Sequence, residues 1–416
     1  MEPKEASDRG NRLRSPSFNG LVTFLVLVLV TCASFGLAEF IARRVNSPTS
    51  SPPSALAELI LDRWAAFRNN PQYHRNGIQI NDLGFRRTGI VAIDKAPNTV
   101  RIFVLGGSVA YGAPTLYPEV DQQPVVDNSH TIDSYLERKL NSAFPTRHWE
   151  VINAAVKGYE LRQELAEYLS VLQRYHPDYL LFFDGVNDVF EMLNSQGNYG
   201  SYKNAGFEEE FNGLTAPRLM SLKLMWSTWL VNRSSLYRLI WERLSERNRI
   251  AARKKRAREA EAKMRAGQAG LTAVEQERIG FAVGLLDRYI HPIRQIDRLT
   301  AMEGTQAIFV LQPEISLTRK SLAAKEERQQ NYWIKLEGPF YDRGFQTLYP
   351  LLSRQLVANS QAEGSRFLDL TAVFDRMKIQ TFTDFCHLTP AGNEAVAAAI
   401  FDYLVKVVDI GKGSEG

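Results

Sequence analysis

Val100-Arg101-Ile102-Phe103-Val104-Leu105-Gly106-Gly107-Ser108 is the stretch on which the fold turns. Its apolar, β-branched residues run together without alternation, as a strand covered on both faces requires. Two glycines then let the chain turn with no Cβ in the way. Ser108 is thereby expected at the C-terminal lip of a parallel strand, the edge at which open α/β sheets bind ligands. The same pattern recurs outward along the chain. Trp149–Ala154 reads as a second strand, Tyr179–Phe183 as a third, Ala307–Leu311 as a fourth and Arg366–Asp369 as a fifth. Helical spacing lies between them: Ile132, Tyr135, Leu136 and Leu140 behind a capping Thr131, then Leu161–Tyr175, and last Pro390–Val408 behind Thr389. This alternation predicts right-handed βαβ units and an α/β fold with a five-stranded parallel sheet. Upstream, Leu56–Phe67 has helical spacing, and Gly77–Asn81 reads as a short extended piece ending in a turn at Gly84.

The alternation stops near Asn194 and resumes at Ala307, which predicts a helical insertion at about 195–300. Leu219–Leu244 reads as helix, with Leu219, Leu222, Leu224, Met225, Trp226, Trp229 and Leu230 as an apolar group that packs over the core or forms a lid. Residues 247–265 hold nine Lys or Arg against Glu259 and Glu261, the pattern of a solvated helix or of a surface for anionic headgroups or acidic polysaccharide.

The chain has 416 residues, 44% of them apolar and 23% charged, enough for a sizeable core. A net charge of +4 gives no reason to expect nucleic acid as a partner. Of the two cysteines, Cys32 sits in an apolar run, which argues against a bond to Cys386. That run, Leu21–Ala38, carries no charge and measures about 27 Å as a helix, close to the thickness of a bilayer's hydrocarbon. The reading is a cytoplasmic tail at 1–17, a transmembrane anchor at 18–42, a linker at 43–55 and an extracytoplasmic domain at 56–416. The Ser- and Pro-rich composition of Ser47–Pro53 fits a tether. Lys4, Arg9, Arg12 and Arg14 ahead of the run favour this orientation, although Arg43 and Arg44 follow it. A cleaved signal peptide is the competing reading and exports the same domain.

Three further segments carry chemistry. Asn153-Ala154-Ala155-Val156-Lys157-Gly158 follows the second strand, Asp184-Gly185-Val186-Asn187-Asp188 closes the third, and Asp384-Phe385-Cys386-His387 precedes the last helix. Asp384, three residues before His387, is spaced to hold Nδ1 of the imidazole and leave Nε2 to accept a proton from Ser108. The N–H groups of Ser108 and Gly158 and the side-chain amide of Asn187 are candidate donors to an oxyanion. His74, His130, His148, His176 and His291 are scattered without ligand spacing, so neither a metal nor a cofactor is expected. Asp184 and Asp188 taken as a glycosidase pair lack the surrounding pocket that reading needs.

The four segments resemble the four blocks of the SGNH (GDSL-like) hydrolase family, matched by Gly106-Gly107-Ser108, Gly158, Gly185-Val186-Asn187-Asp188 and Asp384-x-x-His387. The resemblance covers residues 98–190 and 305–408, and Gly107 stands where the family's commonest first block has Asp. It implies a flavodoxin-like three-layer α/β/α fold and a catalytic triad of Ser108, Asp384 and His387. Asn81-Asp82-Leu83-Gly84-Phe85-Arg86 also resembles a preface seen in anchored members. The expectation is a membrane-anchored esterase acting on an O-acyl group, with acylated carbohydrate or another small ester as substrate. The alternatives are an O-acyltransferase with the same triad, a non-catalytic envelope or glycan-binding scaffold, and a phospholipase.

Overall fold

The computed structural model describes residues 18–45, 58–194 apart from 63, 72 and 76, scattered positions from 234 to 258, and 270–406. The expected tail at 1–17, most of the linker, the apolar group at Leu219–Leu230 and most of the basic stretch lie outside the described residues. The chain forms two compact units.

The first unit contains helix α1, Phe18–Val45, which is long and apolar enough to cross a membrane. Its apolar side chains face outward all round: Leu25, Leu29, Phe35 and Leu37 are each more than half exposed. A helix packed on a protein core would instead bury one stripe. Thr31 satisfies its own hydroxyl on the Leu27 carbonyl (2.8 Å), which removes an unpaired donor from an apolar segment. Near the helix end, Glu39 accepts from Arg43 Nε, Ser234 Oγ, and the N–H groups of Ser235 and Leu236, all at 2.9–3.0 Å. The carboxylate thus stands at the N-terminal side of the helical residues 235–237 and satisfies two of their N–H groups.

The second unit holds the sheet. Two short hairpins come first: β1 (Leu59–Asp62) with β2 (Ala66–Asn69), and β3 (His74–Arg75) with β4 (Ile78–Gln79). The helix expected over Leu56–Phe67 is therefore a hairpin. The Asp62 carboxylate takes the N–H groups of Trp64 (2.8 Å) and Ala65 (3.0 Å), closing a turn where a helix would have continued. After β4 the chain makes the expected turn at Gly84, whose N–H donates to Asn81 O.

β5 (Thr99–Gly106) leads into a single helical turn, α2 (Ser108–Tyr111), then α3 (Ile132–Ala143) and β6 (His148–Asn153). Thr131 stands at the N-cap of α3, yet its hydroxyl donates to Asn128 O (3.3 Å), so the expected side-chain cap is absent. The helix expected over Leu161–Tyr175 keeps α geometry only in α4 (Leu161–Glu167). It widens to a π turn at Tyr168–Leu172, tightens to a 3₁₀ turn, and ends with His176 at φ 49°. Pro177 follows and disfavours helical geometry in the residue before it.

β7 (Tyr179–Asp184), α5 (Val186–Asn194), α6 (Ala273–Val283), α7 (Leu286–Met302) and β8 (Gln306–Leu311) come next. The chain closes with α8 (Ala324–Glu337), α9 (Pro339–Glu363), β9 (Arg366–Asp369) and α10 (Pro390–Lys406). The five strands β5–β9 are all parallel, in the order β6-β5-β7-β8-β9. Ile102, Phe103, Val104 and Leu105 are at most 1% exposed, because helices cover both faces. α3 packs on α10, while α7 packs on α4 and α9, giving three layers. From β5 the chain steps to one side to form β6 and returns to the other side for β7. The loops after β5 and β7 therefore diverge, opening the crevice in which doubly wound sheets hold ligands.

Candidate active site

Gly106 pairs with Phe183 in register, so Ser108 and Asn187 leave the sheet side by side at that crevice. Gly106 has φ 145°, and a Cβ there would meet the Phe183 carbonyl and the Ala110 side chain, each at 2.6 Å. Gly107 has a different constraint. A Cβ at 107 would run into the Asn187 amide, which fills that space and donates from Nδ2 to Tyr159 O (2.7 Å). Any side chain at this position would require the Asn187 amide to move. The loops that carry Ser108 and Gly158 are held together by Val156 N, which donates to Gly106 O (3.0 Å).

The first hairpin supports the same place from outside. Tyr159 Oη donates to Phe67 O (2.5 Å), and its ring meets Phe67 edge-on at 5.3 Å. Gln163 Nε2 donates to Ala65 O (2.8 Å), and Asn69 Nδ2 to Ala155 O (3.0 Å). The loop bearing Gly158 is pinned on both sides.

The turn before α10 brings Asp384 and His387 together. Nδ1 of His387 lies 2.8 Å from Oδ2 and 3.0 Å from Oδ1 of Asp384. The carboxylate also accepts from the N–H groups of Cys386 (3.0 Å), His387 (2.9 Å) and Leu116 (2.8 Å). Leu116 belongs to the loop that leaves Ser108, so the serine segment is tied to the acid. Burial pushes the Asp384 carboxyl up, but the imidazole and the backbone donors outweigh it and hold the group below its ordinary range. An ionised carboxylate accepts only, so Nδ1 carries a proton, and in the neutral imidazole Nε2 is then the acceptor. Nε2 is buried and has no hydrogen-bond partner. Ser108 is half-buried and does not hydrogen-bond to it in this structure. The structure therefore forms the Asp384–His387 pair, joins Asn187 to the loop of Gly158, and leaves the Ser108–His387 bond unmade.

Cys386 also lies here, with Sγ 3.8 Å from His387 Nδ1. Burial, with Asp384 and Glu314 nearby, raises its pKa well above the ordinary range, so it stays a neutral thiol. Asp384, Cys386 and His387 form the one cluster of possible metal ligands among the described residues, and two of its members are already hydrogen-bonded to each other. Beneath the loop after β7, burial side by side pushes the carboxyls of Glu164 and Asp184 upward, Asp184 to about 7. Asp184 is thus paired with Glu164, a partner that sequence spacing to Asp188 did not suggest.

Residues that sequence reasoning missed hold the acid–base loop. Ile315 N donates to Phe385 O (2.9 Å), and Trp333 of α8 stacks on Phe385 at 4.2 Å. Beside Ile315, Glu314 is 1% exposed, and burial raises its carboxyl to about 8 despite hydrogen bonds from Ser316. Its folded pKa lies above the unfolded value, so the stability it contributes is full below about pH 4.5 and is lost as pH rises through about 8. Glu314→Gln keeps the acceptor for Ser316 and cannot ionise. In urea titrations the variant should match the wild type at pH 4 and exceed it at pH 8.

Among solved structures, the chain is similar to LAE5, an α/β hydrolase from the Lake Arreo metagenome, at 14% identity over 73% of this chain and 94% of that chain, with a TM-score of 0.37. It is similar to the acetylxylan esterase Axe2 of Geobacillus stearothermophilus at 12% identity, over 73% and 93%, with a TM-score of 0.37. A GDSL-like lipase from Parabacteroides merdae matches at 12% identity, over 73% and 94%, with a TM-score of 0.37. No protein-family model and no curated protein matches the chain. Likeness at this level carries no argument about chemistry; the α/β fold itself is fixed by the parallel sheet and its strand order.

Proposed function

We propose that the protein is a serine esterase acting on O-acyl esters through an acyl-enzyme on Ser108. The observation that carries this reading is the buried Asp384–His387 pair, whose Nε2 is left without a partner at the sheet edge that also bears Ser108. Ser108 Oγ adds to the ester carbonyl carbon while its proton passes to Nε2 of His387. Asp384 stabilises the imidazolium that forms. The carbonyl oxygen becomes an oxyanion, received by the N–H groups of Ser108 and Gly158 and by the Asn187 amide. Collapse of this intermediate expels the alcohol, which takes the proton from Nε2 and leaves the acyl group on Ser108. A water, deprotonated by His387, then releases the acid and restores the serine. Catalytic hydrogen bonds commonly tighten only with substrate bound, and the Ser108–Nε2 bond is expected to form at that stage.

An O-acetyl group on a cell-envelope or exported polysaccharide is the proposed substrate, with α1 as the anchor and the domain outside the cytoplasm. Acyl transfer to a sugar hydroxyl uses the same steps with another acceptor in place of water. The test is exposure of the detergent-solubilised chain to a fluorophosphonate and to a small acetyl ester. An adduct on Ser108 together with turnover supports the reading, and weighing the products formed with an added glycan separates hydrolysis from transfer. Absence of both adduct and turnover rejects it in favour of a scaffold. Reporter fusions after residue 50 test the topology: a reporter active only in the cytoplasm would reverse it.

A further inference from the structure

We infer that Arg86 is a positioning residue for Ser108, its buried guanidinium bracing the single helical turn that begins with that serine. The inference rests on the serine-esterase reading and goes beyond it, because Arg86 lies in Asn81–Arg86, a segment the proposed chemistry does not use.

The segment is built to deliver one cation. Asn81 Oδ1 accepts from the N–H groups of Leu83 (3.0 Å) and Phe85 (2.9 Å), folding the chain back on itself. Phe85 then plugs the core against Phe103 and Tyr175, at ring distances of 5.5 and 5.7 Å. Arg86 N donates to Asn153 O (2.9 Å), which fixes the backbone to the end of β6. From there the side chain, 1% exposed, reaches the far end of α2. Nη1 donates to Tyr111 O (2.5 Å) and Gly112 O (2.7 Å), Nη2 to Val126 O (2.6 Å), and Nε to Asn128 Oδ1 (3.2 Å).

None of these four acceptors is a carboxylate. A buried cation spent on carbonyls is expensive to keep, and here it satisfies the last carbonyls of a turn too short to hold itself. It also ties the two ends of the proline-bearing loop, Gly112 and Val126, to one rigid plane. The guanidinium lies 4.9 Å from the Tyr111 ring centroid, and Lys157 Nζ lies 5.1 Å from the same centroid. Lys157 immediately precedes Gly158 and is held by Glu58 at 2.5 Å. One tyrosine ring therefore links the turn of Ser108 to the loop of Gly158, which sets the spacing between nucleophile and oxyanion donors. A displacement of about 1 Å in such geometry costs on the order of 10²-fold in rate.

Arg101 provides the internal control. It is equally buried at 1% and donates to Glu150 (2.8 Å) and Tyr175 O (2.7 Å), beneath the sheet edge opposite Ser108. The experiment measures, on the full chain at a temperature where circular dichroism shows the folded state, the fluorophosphonate labelling rate, kcat and KM for a small acetyl ester. Arg86→Gln is expected to lower labelling rate and kcat by about 10²-fold with KM within about two-fold. Arg101→Gln is expected to lose stability without losing labelling rate. Should Arg86→Gln fail to fold, Arg86→Lys answers the same question. Its three protons cannot span four acceptors, and about a ten-fold loss is expected. A folded Arg86 variant labelled at the wild-type rate overturns the inference while the esterase reading stands. A wild type that is neither labelled nor active overturns the reading itself, and the inference with it.

Discussion

Ser108→Ala is expected to lower turnover of a small acetyl ester by roughly 10⁵–10⁶ and to leave the fold intact. The size follows from the unit behaviour of nucleophile and base, in which removing either costs nearly as much as removing both. The mildness toward folding follows from the site. Ser108 Oγ holds no hydrogen bond, so no buried partner is orphaned by its loss, and a half-buried hydroxyl removed from a turn changes stability by about 0.5 kcal/mol or less. Asp384→Asn should behave differently. It leaves the imidazole with a neutral partner and the wrong tautomer, worth about 10⁴ in kcat. It also weakens hydrogen bonds to three backbone N–H groups, those of Leu116, Cys386 and His387, so stability falls too. The double variant should be no slower than Ser108→Ala alone, because the base has nothing left to activate. Steady-state assays of the three proteins decide this. A Ser108→Ala protein with wild-type turnover places the chemistry elsewhere.

How much of this was legible in the sequence depends on the range of the interactions. The five strands and the four loops could be read because uninterrupted apolar runs and glycine turns are local signals, and a parallel sheet gathers strand ends without further instruction. The Asp384–His387 pair was legible for the same reason, being three residues apart on one turn. Leu56–Phe67 misled because its apolar spacing suits a helix, whereas the deciding contact is the Asp62 side chain on two N–H groups just ahead. The surroundings of Gly107 could not be read from its neighbours, since the group that fills the space beside it is the amide of Asn187. The partnerships of Arg86 with Val126 and of Lys320 with Thr381 join loops far apart in the chain, and no periodicity announces them.

Beside Thr381, the ion pair of Lys320 with Glu326 is expected to carry a large stability effect. Lys320 and Glu326 are both fully buried, with Nζ 2.8 Å from Oε1. Nζ also donates to Ile379 O (2.7 Å) and Thr381 Oγ1 (2.9 Å). Glu326 accepts from the N–H groups of Ala323 (2.7 Å), Thr381 (2.8 Å) and Phe382 (2.9 Å). Breaking a buried pair from one side costs about 3–5 kcal/mol, because the remaining charge stays desolvated. The two sides are not equivalent here. Lys320→Met leaves a carboxylate still held by three N–H donors and should fall near the lower figure. Glu326→Leu leaves an ammonium and three orphaned N–H groups, and should reach or pass the upper one. Burial pushes Glu326 up, but the Lys320 ammonium and the backbone donors bring its pKa below 4.5. Its contribution is therefore present above the unfolded pKa and is lost as pH falls through the folded one. The gap between wild type and Glu326→Leu should narrow in strong acid. Residues 379–382 lead directly into Asp384–His387, so hydrogen exchange at 380–388 should accelerate in Glu326→Leu before the sheet unfolds. If the exchange and the denaturation midpoints both stay at wild-type values, the acid–base loop is held by the Trp333–Phe385 stack and not by this charge pair.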